Sequence, residues 1–323
     1  MLYVSTRNTE NHYTAHRALY EDCAPDGGFY VPFRMPSFTA EEMLSMKFQS
    51  SGENIAQVLN LFFGLHLNGW DVECIIGRNP FQSVAMNHRL IMSEVWHNPQ
   101  NSWQYLIDNL YGLITEHKRG REVPSGWNLI SIEIALLFGL FSTIDGFPDV
   151  GYDIALNSGD FADLTAVLYA KDMGLPVKII ICACNDNGNV WDFIHRGDYN
   201  PNAPVVKTNF PDMDISCPHF MELMICRYFG SAEVKRFLDI HQRKAIYRID
   251  AEQLDAFSGD LFAAVVTAKR IDSIISSMYR TNQYRIDAHT ALAYGGLQDY
   301  RARTGFSKDT LILVKNKLKT AKE

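Results

Sequence analysis

The sequence has no lysine between Lys47 and Lys118, so that whole stretch offers no side-chain amine. It also lacks a long hydrophobic run. The longest, 134–141, falls well short of the ~18 apolar residues a membrane-spanning helix needs, which argues against a membrane protein. No basic start followed by an apolar block is present, so no signal peptide is expected. Positive charge is not in excess either. The net charge of −7 argues against nucleic acid as a partner. The basic cluster Lys315, Lys317, Lys319 and Lys322 reads as a solvated end of the chain. The six cysteines, Cys23, Cys74, Cys182, Cys184, Cys217 and Cys226, form no compact disulfide framework. They read as reduced thiols of a cytoplasmic protein. Internal repeats and low-complexity segments are absent.

At 323 residues the chain can hold one or two domains. The pattern predicts short strands over 1–6 and 29–32, with a glycine turn Pro25-Asp26-Gly27-Gly28 between them. Helices are expected over 14–21, from Thr39 onward, and over 54–63. The segment 65–125 is harder to read. A strand over 71–76 and helices over 87–96 and 102–116 are expected there, then a linker over 118–125. After it come an apolar helix over 129–142 and a loop at Asp145-Gly146-Phe147-Pro148. A strand over 152–156, a helix to 172 and a buried strand over 177–184 form a βαβ unit, hence a parallel sheet. The C-terminal third reads as helices over 232–238, 251–255, 263–278 and 289–300, with a last strand over 310–314. The domains expected are 1–125, including the divergent segment, and an α/β domain over 126–323.

The turn between the first βαβ strand and its helix is Ser158, Gly159, Asp160, Phe161 and Ala162. A strand, a small-residue turn and a helix N-terminus make a phosphate site, because free backbone N–H groups and the helix dipole point at the anion. Three blocks around it resemble the threonine synthase family. One is Tyr3-Val4-Ser5-Thr6-Arg7 with the Gly27-Gly28 turn. The second runs from Trp127-Asn128 through the 158–163 turn, Gly174-Leu175-Pro176 and Asn185-Asp186-Asn187 to Met213-Asp214-Ile215. The third is Asp287-Ala288-His289. The resemblance implies a type II pyridoxal-phosphate (PLP) fold, α/β with a parallel sheet, and PLP held at the turn.

The chain departs from that family where the chemistry sits. The family's Schiff-base lysine motif corresponds to 76–85, which holds no lysine, and the lysine-bearing domain is largely replaced. No catalytic residue is therefore assigned. In the turn, Asp160 and Ala162 replace the family's asparagine and second glycine. Asp160 suits a helix N-terminus but repels a phosphate, and Ala162 adds a Cβ where the ligand approaches. A helix cap is the bland reading of Asp160 and a phosphate ligand the functional one. The closing run after the last strand is replaced by Val314-Lys315-Asn316-Lys317.

Other constellations are weaker. Cys182, Cys184, Cys217 and His219 could supply zinc ligands, but a buried strand thiol pair is the simpler reading and no metal is expected. Arg78, His88 and Arg89 could line a replacement site for a carboxylate or phosphate, with Glu94 and His97 nearby. Helix-surface polarity is the alternative. Lys171 and Lys178 sit at the wrong end of the sheet for a Schiff base. The leading expectation is a threonine-synthase-like pseudoenzyme with a binding or regulatory role, as a homo-oligomer or paired with an intact threonine synthase. One alternative is a threonine synthase converting O-phosphohomoserine to threonine and phosphate, its site completed by a non-family lysine or a second chain. The other is a small-ligand binder using the old cleft.

Overall fold

The computed structural model describes residues 1–86, 89–116, 123–146 and 149–318. The N-terminal part runs β1 (Leu2–Ser5), β2 (Tyr13–Thr14), α1 (Ala15–Tyr20), β3 (Tyr30–Pro32), α2 (Ala40–Met46), α3 (Ser51–Phe63) and α4 (Gly69–Ile76). An antiparallel pair, β4 (Gln82–Met86) and β5 (Leu90–Glu94), and the helix α5 (Trp103–Ile114) lead to the apolar helix α6 (Gly126–Phe141). The expected βαβ unit follows as β6 (Tyr152–Asn157), α7 (Ala162–Asp172) and β7 (Val177–Cys184). Then come α8 (Asn189–Arg196), β8 (Asp198–Tyr199), α9 (Met221–Gln242), β9 (Tyr247–Arg248), α10 (Ala251–Ser258), β10 (Leu261–Val265), α11 (Ala268–Asn282), α12 (Ala288–Thr304) and β11 (Thr310–Val314).

One six-stranded sheet, ordered β10-β7-β6-β11-β5-β4, carries the fold. Every pairing in it is parallel except that of β4 with β5. Strand side chains alternate between faces, and here the alternation separates two cores. Ile154, Leu156, Ile180, Cys182, Cys184 and Leu311 join the core built with α6 and α7. Ala155, Ile181, Ala183 and Ile312 join the core built with α11 and α12. Both faces are thus covered, as a parallel sheet requires. Cys182 and Cys184 are fully buried core thiols; Cys184 and burial together push the Cys182 thiol well above its ordinary range. Among the described residues no helix is long and apolar enough to cross a membrane.

Three expectations are corrected. Residues 71–76 are not a strand but lie in α4. Asn68 accepts from Asp71 N, and Asp71 accepts from Asn68 N, a capping box that fixes the helix start. Residues 87–96 are not a helix; β5 occupies 90–94. Leu90 and Met92 alternate into the core, and β5 pairs in register with β11, from Leu90 opposite Thr310 to Glu94 opposite Val314. The stretch after Asn79 therefore extends the edge of the main sheet. Residues 263–278 are not one helix, because 261–265 pair with β7 as β10. The expected linker lies mostly outside the described residues, as do Phe147 and Pro148 of the expected loop.

The glycine block near the N-terminus is explained by close approach. Gly28 lies against Ser5 and Thr6, both fully buried, and a Cβ there would come within 2.3 Å of Ser5 Oγ and 2.8 Å of Thr6 Oγ1. Gly28→Ala is expected to destabilise the protein by about 1–3 kcal/mol in urea denaturation. Gly259→Ala, whose new Cβ meets nothing nearer than 3.8 Å, leaves stability nearly unchanged or slightly raised.

Candidate functional site

In an open parallel sheet, ligands bind outside the carboxyl ends of the strands. A cavity of about 430 Å³ lies at that edge, where β6 and β11 end and α7 and α12 begin. One wall is apolar, with Ile107 of α5, Leu129 of α6, Leu156, Ala293 and Leu313. The rest is polar, with Asn157, Gly159, Asp160 and Asp163 from the turn and α7, Glu133 from α6, and Lys315 just after β11. The altered phosphate turn therefore forms part of a real concavity.

The turn satisfies itself. Ser158 N donates to Ala183 O on the neighbouring strand, and Phe161 N donates to Ser158 O. Gly159 takes a positive φ of 43°. Phe161 also sits in the left-handed region, at φ 73°, which costs a non-glycine residue of order 1–3 kcal/mol. Its ring is 1% exposed, and that burial offsets the strain. Asp160 is exposed, and its Oδ1 accepts from Ala162 N at 3.0 Å. The first free N–H of α7 is thus taken by a carboxyl of the chain itself, which is the capping reading of Asp160.

A second set of charges stands beside it. Lys315 Nζ donates to Asp163 Oδ1 and Oδ2 at 2.6 and 2.5 Å, with the two side chains 29% and 18% exposed. The ammonium also lies 5.7 Å from the centre of the Trp103 ring. Burial pulls the Lys315 ammonium toward lower pKa, but Asp163, Glu133 and Asp160 together outweigh it, and the net shift is upward. Glu133 is 4% exposed, and its Oε2 has no geometric hydrogen-bond partner among the described residues. Burial, reinforced by Asp163, pushes its carboxyl well above the ordinary carboxylate range, against the pull of Lys315. The cluster therefore holds one tight ion pair and one carboxyl driven toward its neutral form.

The structure places the sequence-predicted residues unequally. Of the turn, Gly159, Asp160 and Ala162 line the cavity, while Ser158 and Phe161 support it from behind. Arg78 is exposed and lies over Trp70, and Arg89 pairs with Asp309 at 3.1 Å. Arg89 precedes β5 at the N-terminal end of the sheet, roughly 16 Å of strand away from the cavity. His88 lies outside the described residues. Glu94 and His97 bind each other at 2.8 Å, and Glu94 also accepts from Tyr284 at 2.6 Å. Lys171 pairs with Asp260 at the opposite end of α7. Among the described residues no group of three or more His, Cys, Asp or Glu side chains could hold a metal ion.

Lys315 corrects an expectation, because it is no solvated tail residue but the cation of the cavity. Its signal was its position, directly after a parallel strand. Glu133 was also missed. It is the one charged residue in the apolar run of α6, and a lone charge in such a helix needs a reason. Glu133→Gln tests the cluster. A carboxyl whose pKa rises on folding stabilises fully below its unfolded value, roughly 4.3, and that stability is lost as pH climbs toward the folded value. The stability advantage of the variant over wild type is therefore expected to widen with pH, by up to about 1.4 kcal/mol per unit, in urea midpoints measured from pH 5 to 8.

Comparison with known proteins fits this geometry. Residues 2–79 match the family described as threonine synthase N terminus. A threonine synthase of Serratia marcescens is 47% identical over 203 residues, covering 60% of this chain and 46% of that protein. Threonine synthase-like 1 of Homo sapiens is 28% identical over 154 residues, covering 46% of this chain and 21% of that protein. The matches to both relatives span less than half of their length. The PLP-bound threonine synthase of Brucella melitensis superposes with a TM-score of 0.84 over 98% of this chain and 89% of that one, at 21% identity, a likeness of fold. The chain is thus threonine-synthase-like: residues 2–79 match the threonine synthase N terminus, and the fold is that of the solved threonine synthase.

Proposed function

We propose that this chain is a threonine-synthase-like pseudoenzyme, a binding or regulatory protein that keeps the scaffold without the Schiff-base chemistry. The observation that carries this reading is the state of Lys315. A Schiff-base lysine must reach the free-amine form to attack a carbonyl. The lysine at this cavity is held as an ammonium by Asp163 at 2.5 Å, and its pKa moves up rather than down. The residues present do not fit the PLP phosphate either. Asp160 already occupies the N–H of Ala162 and sets negative charge at the turn, and the Lys315 ammonium is engaged by Asp163. No chemical step is therefore derived through PLP. A regulatory role is best served by association with a second copy or with an intact threonine synthase, and cysteines read as reduced thiols support a cytoplasmic location.

One observation favours the competing reading, a threonine synthase acting on O-phosphohomoserine: a lysine does stand beside the turn. The two separate cleanly. Purified protein is mixed with saturating PLP, its absorption recorded, the mixture reduced with borohydride, and its lysines mapped by mass spectrometry. The pseudoenzyme reading expects no imine band, no stoichiometrically modified lysine, Lys315 included, and no phosphate release from O-phosphohomoserine. An imine at one defined lysine overturns it.

A further inference from the structure

The cavity holds five carboxyl side chains, and four of them have partners. Asp163 is matched by Lys315, Asp212 by His289 at 3.0 Å, Asp160 by the Ala162 N–H, and Asp287 by the Thr290 N–H at 2.7 Å. The fifth, Glu133, is 96% buried with one oxygen unpartnered. The indole of Trp103, also in the wall, lies beside that carboxyl, and its N–H favours the ionised form of Glu133. Acidic side chains thus outnumber basic ones five to two, a balance that repels anions and attracts a cation. The remaining wall, with Ile107, Leu129, Leu156 and Leu313, suits a short aliphatic chain.

We infer that this cavity binds a small aliphatic amine without a phosphate, its ammonium group received by Glu133 beside Trp103 and its carbon chain against the apolar wall. Lys315 already displays the recognition mode, an ammonium between a carboxylate and the face of an indole. The groups facing Glu133 are Asp163 on α7, Asp160 in the turn, Lys315 after β11 and Trp103 on α5. With those neighbours Glu133 is driven toward its neutral form in the free protein, and an arriving cation favours its ionised form. Binding is therefore coupled to loss of the Glu133 proton to solvent and strengthens as pH rises. The inference rests on the reading that the turn no longer takes a phosphate.

The test is titration calorimetry with 1,4-diaminobutane, n-butylamine, butan-1-ol and inorganic phosphate, in two buffers of different ionisation enthalpy. Saturable binding of an amine, an observed binding enthalpy that differs between the buffers in proportion to the proton released, and no binding of butanol or phosphate are expected. Glu133→Gln, confirmed as folded by circular dichroism, should weaken amine binding by more than about tenfold and abolish the proton release. No saturable amine binding by wild type in the millimolar range overturns the inference, and so does equal binding with unchanged proton release in the variant. A separate PLP titration keeps the two readings apart. Failure of the amine with no imine on PLP sinks only the ligand, whereas an imine on PLP sinks the pseudoenzyme reading beneath it.

Discussion

The ion pair of Lys315 with Asp163 is the contact on which the site end of the molecule depends. It joins the end of β11, a strand in the interior of the sheet, to the first turn of α7. A carboxylate near a helix N-terminus is favoured by the helix dipole, and the ammonium neutralises it within a poorly solvated cavity. Removing either partner would leave a charge without compensation, so the pair is held in place by the cost of breaking it. Glu133 feels the same negative field and answers by tending to keep its proton. One negative charge is paired, another suppressed and a third, Asp160, turned onto its own backbone, and these three devices relieve the repulsion within the acidic pocket.

A second tie fastens the turn to the N-terminal region. Phe220 N donates to Asp160 O at 3.0 Å, and two residues on, Glu222 accepts from Thr6 Oγ1 and from Arg7 Nη2 at 2.9 Å. The N-terminal Tyr3–Arg7 block and the turn thus belong to one hydrogen-bonded unit although they are far apart in the chain. A comparable knot holds the loops beyond β7. Asp214 accepts from Thr208, Asn185 and Asn187, and these bonds outweigh its burial and keep its carboxyl below the usual range. These bonds hold the loops to one another whatever the cavity contains.

The parts of the fold that were legible in the sequence are those with local causes. The βαβ unit announces itself through a continuous apolar strand, a glycine turn and a Gly-Leu-Pro helix stop. Thr39 announces a helix because its side chain reaches the backbone three residues on. The strand β5 was not legible, because what makes it a strand is β11, which lies near the other end of the sequence. The helix α4 was missed because its apolar residues fit either period over so short a stretch. Within the site, the altered turn was legible from Asp160 and Ala162 alone. Lys315 was legible only as a residue directly after a strand, since its partner Asp163 lies on a helix distant in the sequence. Arg78 and Arg89 drew attention as unexplained charges, yet the sheet directs Arg89 to its opposite end, and Arg78 lies exposed on Trp70.

The position of β11 has a consequence for how the protein comes into being. It lies between β6 and β5, so two blocks of sheet, β10-β7-β6 on one side and β5-β4 on the other, have no contact through strands until it arrives. On the ribosome, everything before Thr310 emerges with two open sheet edges whose backbone groups lack partners. Closure waits for one short strand, and the lysine that completes the cavity comes in directly behind it. The cavity, which Leu313 and Lys315 help to line, is therefore complete only once β11 has paired on both sides.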